Sequence, residues 1–381
     1  MNPKKLNFID ALRGIAAAYV ALYHLGHMTG EVKIVPDWLN PVTNAGGTGV
    51  MLFFVLSAFT LCLSMDQRRL DEERPLVNYY LRRFFRIAPL FYVFLVISIA
   101  RDAIAFNAWH SPGEIARSVF FVFNLKHGSE QGIVWASWTI GVEMLFYVAF
   151  PLFYKIADNL GKSIALLLIA ISLRMIWHNF VSIAIPDPAS SNSFYQMSFL
   201  HHVPTFLVGV VSYHVYKMMN IDSARKIGVG YALIVLSITS YVGMIYGGIS
   251  FMAFGDQTTV QAVMFASLLI GLSVSDSKII VNRASIFLGK VSYSFYLSHS
   301  TILFLLSPLI MWVGARTGNT FISYFIIALS CIVIIASFSF VTYKLVEQPG
   351  NNIGRKIIRR VSEKRGPEAS LNQKDFPERT N

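Results

Sequence analysis

The first hydrophobic stretch, Phe8–Met28, is long enough to span a bilayer yet carries Asp10, Arg13 and His24. An ionisable side chain inside a membrane helix is costly, so it is usually paired or functional. Arg13 and His24 are eleven positions apart, about three turns, so both project from nearly one helix face. An imidazole buried there can act as a general base, and a carboxylate beside it would orient it and stabilise its charged form. Glu143, eight residues into a later apolar run, supplies that carboxylate, and it falls with His24 in the same half of a core about 30 Å thick. The expected dyad is His24 with Glu143. The bland alternative is a buried ion pair that only fixes helix packing. His299 reaches a similar depth in another run, and Asp10 is placed one turn before Arg13 to pair with it.

A second group of side chains lies at 82–86, RRFFR. Arg82, Arg83 and Arg86 form a compact cluster, and a guanidinium binds phosphate oxygens bidentately. On spacing alone the plainer reading is preferred, namely basic charge against anionic lipid at a membrane face. Arg174 and His178 lie one turn apart in an apolar run and need a cavity or a partner; pairing is the simpler account. His201 and His202 fall at a water–membrane boundary, where histidine is ordinary. No phosphate-binding glycine loop, nucleophile elbow or HExxH motif is present, and Gly46-Gly-Thr-Gly49 has no strand–helix context around it.

The elements that must position these residues are transmembrane helices. Of 381 residues, 54% are hydrophobic and 14% charged, and the mean hydropathy is +0.53, far from a soluble composition. Ten spans are expected, at about 8–28, 47–65, 87–106, 135–154, 163–183, 200–218, 228–247, 259–275, 286–312 and 321–345. The fold class is thus an all-α membrane bundle around a central cavity. With the N-terminus cytoplasmic, the 66–86 connection carries Arg68, Arg69, Arg74, Arg82, Arg83 and Arg86 inside, while 184–199 outside has no Lys or Arg. That asymmetry places both termini in the cytoplasm. The apolar piece Ile115–Leu125 is too short to cross and is expected at the interface or re-entering. Residues 1–349 form the membrane domain, and 350–381 a polar, basic cytoplasmic tail, partly disordered after Gly366. The net charge of +11 reflects charge bias and that tail rather than nucleic-acid binding. Cys62 and Cys331 lie within apolar runs, so neither a disulfide framework nor a thiolate metal site is expected.

The motifs together resemble the acyltransferase 3 family of membrane acyltransferases, over about Phe8–Pro349. Asp10-Ala-Leu-Arg13-Gly14 followed by His24 is similar to its opening signature, and Phe53-Phe-Val-Leu-Ser57-Ala58-Phe59 to a segment usually ending Ser-Gly-Phe. Arg82-Arg83-Phe-Phe-Arg86, Trp138-Thr-Ile-Gly-Val-Glu143, Ser292-Tyr293-Ser294-Phe-Tyr296-Leu-Ser-His299 and Tyr343–Glu347 match four further pieces in order. Ala58 replaces a glycine, and His202 stands where many members are basic.

The resemblance implies an acyl-CoA donor, most often acetyl-CoA, and a glycan hydroxyl acceptor, with no metal, at the cytoplasmic (inner) membrane of a bacterium. It implies catalysis by His24, Glu143 and Arg13, and donor binding by Arg82, Arg83 and Arg86. Asp10, Ser57, Trp138, Tyr293, Tyr296 and His299 are weaker candidates for contacting substrate. The rival class is a proton-coupled transporter or flippase, since buried charges and a cavity suit both. No inverted repeat is visible in the sequence. Oligomeric state leaves no mark on it.

Overall fold

A computed structural model describes residues 7–363 apart from 29, 31, 69–71, 220–222, 248–256, 276 and 319. Every regular element among them is helical: α1 (Asn7–His27), α2 (Asn40–Asn44), α3 (Gly49–Arg68), α4 (Pro75–Phe106), α5 (Pro112–Val119), α6 (Trp138–Ile156), α7 (Leu160–Ala184), α8 (Pro188–Gln196), α9 (Phe199–Met218), α10 (Ser223–Tyr246), α11 (Gln257–Val274), α12 (Arg283–Lys290), α13 (Ser292–Thr317), α14 (Phe321–Thr342) and α15 (Gln348–Glu363). Nine helical segments among the described residues are long and apolar enough to cross a membrane. The remaining expected span is α9, a 20-residue helix made less apolar by His201, His202, His214 and Lys217. It survives as a helix because it is buried among α3, α7 and α11 rather than facing lipid.

Burial ranks the helices. In the segment containing α3, 72% of the apolar window is buried, against 17% for α7. So α1, α3 and α9 form the centre, and α7 turns Leu168, Leu173, Ile176 and Phe180 outward, as a lipid-facing helix must. Close packing at the centre relies on small residues, as is usual between membrane helices. At Gly289 an added Cβ would lie 1.8 Å from the Asp10 carbonyl oxygen, and at Gly14 it would lie 2.3 Å from that of Ser285. The crossing of α1 and α12 therefore tolerates no side chain at either glycine.

Three boundaries differ from the sequence expectation. Helix α4 begins at Pro75, so Arg82, Arg83 and Arg86 lie in its early turns and not in a connection. Proline suits a first helical position and arginine is a good helix former, so charge did not end the helix there. The expected 286–312 span is two helices: α12, begun by an Asn282–Ser285 capping box, ends at Lys290, and α13 restarts at Ser292. Beyond α14 the chain makes one π-helical turn, Tyr343–Glu347, and continues as α15 along α4. The tail beyond Glu363 lies outside the described residues. The 107–134 segment folds as α5 and a turn at Phe123–Leu125 that re-enters the bundle. The buried Asn124 amide there donates to the carbonyls of Glu130, Trp138 and Met197 at 3.2, 3.0 and 2.8 Å.

Candidate active site

Helix α1 presents Arg13 and His24 along one side, and the rest of the centre packs against them. Arg13 Nη2 donates to Thr60 Oγ1 of α3 at 3.1 Å. No ion pair between Arg13 and Asp10 forms among the described residues, because the guanidinium reaches across to α3 instead of back along its own helix.

His24 and Glu143 do not hydrogen-bond to one another. His24 Nδ1 donates to the Val20 carbonyl at 2.9 Å and lies 3.3 Å from His299 Nε2. His299 in turn donates from Nδ1 to the Tyr296 carbonyl at 2.5 Å, and Ser300 Oγ donates to its Nε2 at 3.0 Å. These contacts assign the proton of each ring to Nδ1. His24 Nε2 is left with a lone pair and no hydrogen bond among the described residues. His24 lines a cavity of about 480 Å³, together with Tyr23, Trp138, Gln196, His202 and Gln261. The partner of His24 is thus His299 of α13, not the carboxylate of α6.

Glu143 has its own surroundings. It accepts from Ser57 Oγ at 2.7 Å and from the Tyr147 hydroxyl at 2.5 Å. With Arg13, Arg86, Thr139, Tyr293 and Tyr296 it lines a narrow slot of about 60 Å³. Tyr293 donates to the Ile87 carbonyl at 2.7 Å, and the Tyr296 hydroxyl accepts from Thr139 at 2.9 Å. Arg86 lies in the field of Glu143, Asp10 and the buried Glu347, which accepts from Ser294 at 2.8 Å. The π-helical turn before α15 is the element that carries Glu347 to Arg86.

Arg86 also lines a third cavity, of about 290 Å³, with Arg68, Arg82, Arg83, Phe85, Asn351, Gly354 and Arg355. Arg82 is paired with Glu72 at 2.7 Å. Arg83 sits 5.7 Å from the centre of the Tyr147 ring, and its Nε is buried without a hydrogen-bond partner among the described residues. Neighbouring cavities share wall residues: Arg86 is common to the arginine cavity and the slot, and Val50 and Tyr296 are common to the slot and the His24 cavity. Thr48, Gln196, Thr258 and Gln261 connect the latter to a fourth cavity of about 820 Å³.

Two residues read from sequence as ordinary boundary histidines are central. His202 is buried, donates to the Gln196 carbonyl at 2.8 Å and stacks on Trp138 with ring centres 5.3 Å apart. His201 is buried beside it, 3.5 Å from Thr258. The available signal was the polarity of α9 itself, since three histidines in a spanning-length helix mark one that faces a cavity. Arg174, bonded to Thr259 at 2.8 Å, and His178 both line the fourth cavity.

Helical membrane-spanning segments throughout the described residues, with buried histidines, a buried glutamate and arginines around neighbouring cavities, define the class: a multi-spanning membrane enzyme. Residues 6–342 match the family described as Acyltransferase domain, and the chain belongs to that acyltransferase 3 family. O-acetyltransferase OatA of Staphylococcus aureus is 23% identical over 406 aligned positions, covering 96% of this chain and 60% of that enzyme. Peptidoglycan O-acetyltransferase OatA of Listeria monocytogenes is 25% identical over 335, covering 79% of this chain and 50% of its own. The ORF330 protein of Acidianus two-tailed virus, whose given name is that of an acetyltransferase, is 24% identical over 317, covering 81% and 86%. The chain therefore spans only half to three-fifths of the two bacterial enzymes. No solved structure matches it.

Proposed function

We propose that this acyltransferase moves an acyl group, most simply acetyl, from cytoplasmic acyl-CoA to a hydroxyl of a cell-surface polysaccharide or lipid-linked glycan. In this reading it is a multi-pass protein of the bacterial cytoplasmic membrane, with both termini and the arginine cavity on the cytoplasmic side. The observation that supports it is a row of neighbouring cavities with shared walls, the first lined by five arginines, the second sharing Arg86 with it, and the third lined by His24.

The chemistry follows from the charges. Coenzyme A is polyanionic at one end and a thin thiol-bearing arm at the other. Arg82, Arg83 and Arg86 suit its phosphates, and the orphaned Nε of Arg83 is a donor still to be satisfied. The slot beyond Arg86, about 60 Å³, is too small for a nucleotide, and the thin arm entering past Arg86 brings the thioester toward Tyr296 and Val50 as the surrounding side chains give way. The acceptor hydroxyl comes from the His24 side, where Trp138 and the glutamine and histidine side chains offer stacking and hydrogen bonds to a sugar. His24 Nε2 takes the hydroxyl proton as the oxygen attacks the thioester carbonyl. The C–S bond breaks, and His24 returns the proton to the departing thiolate. The Nδ1–H contacts to Val20 and His299 hold the ring in the tautomer this requires. Ser57 and Tyr147 give their hydroxyl protons to Glu143, so Arg13, which spends one guanidinium N–H on Thr60 and lines the same slot, furnishes the donor for charge developing on the thioester oxygen.

The test is transfer of labelled acetyl from acetyl-CoA by purified protein in vesicles, with surface glycans of producing cells weighed for one added acyl group. His24→Ala should lower turnover by about 10²–10⁴-fold while the protein inserts and folds normally. Full activity in that variant, or gradient-driven solute flux without acyl consumption, would overturn the reading.

A further inference from the structure

The residues that match the family end at 342, yet the arginine cavity is closed by α15, which lies beyond them. Helix α15 is laid flush on α4 by two glycines one turn apart. An added Cβ at Gly350 would meet Pro89 at 2.8 Å, and one at Gly354 would meet Phe85 at 2.7 Å. That contact fixes Asn351 and Arg355 opposite Arg68, Arg82 and Arg83. No acidic residue lines the cavity among those described. Arg355 is exposed, with its guanidinium bonded to Asn352, so it stands at the rim, whereas Arg86 is less exposed and lines both this cavity and the slot.

Coenzyme A has a fixed order of groups: thiol, arm, diphosphate, then a ribose bearing a 3′-phosphate. A thioester lying in the slot beyond Arg86 therefore puts the diphosphate beside Arg83 and Arg86 and the 3′-phosphate at the outer edge. We infer that α15 is part of the donor site and that Arg355, backed by Asn351, binds the 3′-phosphate of the acyl-CoA. This rests on the acyl-CoA reading above and extends it to a helix outside the matched domain.

The experiment compares KM for acetyl-CoA and 3′-dephospho-acetyl-CoA in the full-length protein. Wild type should favour acetyl-CoA by about tenfold, as expected for one charge-assisted hydrogen bond at an exposed rim. Arg355→Ala should raise KM for acetyl-CoA by about that factor, leave KM for the dephospho donor alone and leave kcat near wild type. Arg355→Lys should restore part of the preference. Lys356→Ala, which removes an exposed charge one residue away, should change neither KM. Equal use of both donors by wild type overturns the inference. So does an Arg355→Ala enzyme that keeps the preference, or a Lys356→Ala enzyme that loses it. An Arg355→Ala defect seen with both donors and only in anionic vesicles would assign α15 to the lipid surface instead, and would also overturn it. Arg86→Ala separates the two levels. If it weakens both donors while Arg355→Ala affects neither, only the α15 assignment falls; if Arg86→Ala leaves donor binding unchanged, the acyl-CoA reading falls with it.

Discussion

At the scale of residues, the proposed base is marked out by what its ring does not bond. His24 spends its Nδ1–H on Val20 and His299, keeps Nε2 free of hydrogen bonds among the described residues, and lines a cavity. On the proposed function His299 is a positioning residue, itself held by Tyr296 and Ser300. An ordinary hydrogen bond contributes about 0.5–1.5 kcal/mol, so His299→Ala is expected to lower kcat by up to about tenfold with little change in KM for the donor. His299→Gln keeps a side-chain acceptor and should recover part of the loss. A variant that alters only protein yield, with kcat intact, would mark His299 as packing alone. Glu143 belongs to a different set: bonded to Ser57 and Tyr147, it serves the slot where the arginines converge.

At the scale of elements, the site depends on how closely α12 approaches α1. Asp10, whose carbonyl meets Gly289, is one turn from Arg13, so this crossing sets where the guanidinium starts. Gly289→Ala would bring a methyl within 1.8 Å of that carbonyl unless the helices part. Overpacking of this kind costs about 1–3 kcal/mol. The expected outcome is a lower thermal midpoint in detergent together with reduced turnover, because Arg13 moves with the backbone. A variant as stable and active as wild type would show that the crossing has slack. The break between α12 and α13 serves the same end: after Lys290 the chain restarts at Ser292 and carries Tyr293, Tyr296 and His299 inward on one continuous helix.

At the scale of the whole molecule, the proposed function rests on neighbouring cavities with shared walls. Val50 and Tyr296 form the wall between the slot and the His24 cavity, and Val50 is buried. A larger side chain there, Val50→Phe, should obstruct the meeting of thioester and acceptor. Donor KM is expected to stay within about twofold while acyl transfer falls by at least about tenfold. Equal loss of donor binding would mean that the slot itself has collapsed.

Much of this was legible in the chain. Composition and apolar runs gave a helical membrane bundle, because hydrocarbon admits no other way to satisfy so many backbone groups within a single sheetless chain. Arg13, His24, Glu143 and the arginine cluster stood out because charge in an apolar run is rare. Read from the sequence, the third span starts after the arginines that α4 in fact contains, and His201 and His202 fall at a boundary although both are buried, because burial among neighbouring helices supports a polar helix as well as lipid supports an apolar one. Only the tertiary structure decided who meets whom. Depth along a helix is set by residue count, but the angular position of each helix and its distance from its neighbours are set by packing, by Gly14 and Gly289 at one crossing and Gly350 and Gly354 at another. That packing paired His24 with His299, gave Glu143 to Ser57 and Tyr147, and brought α15 against the arginines.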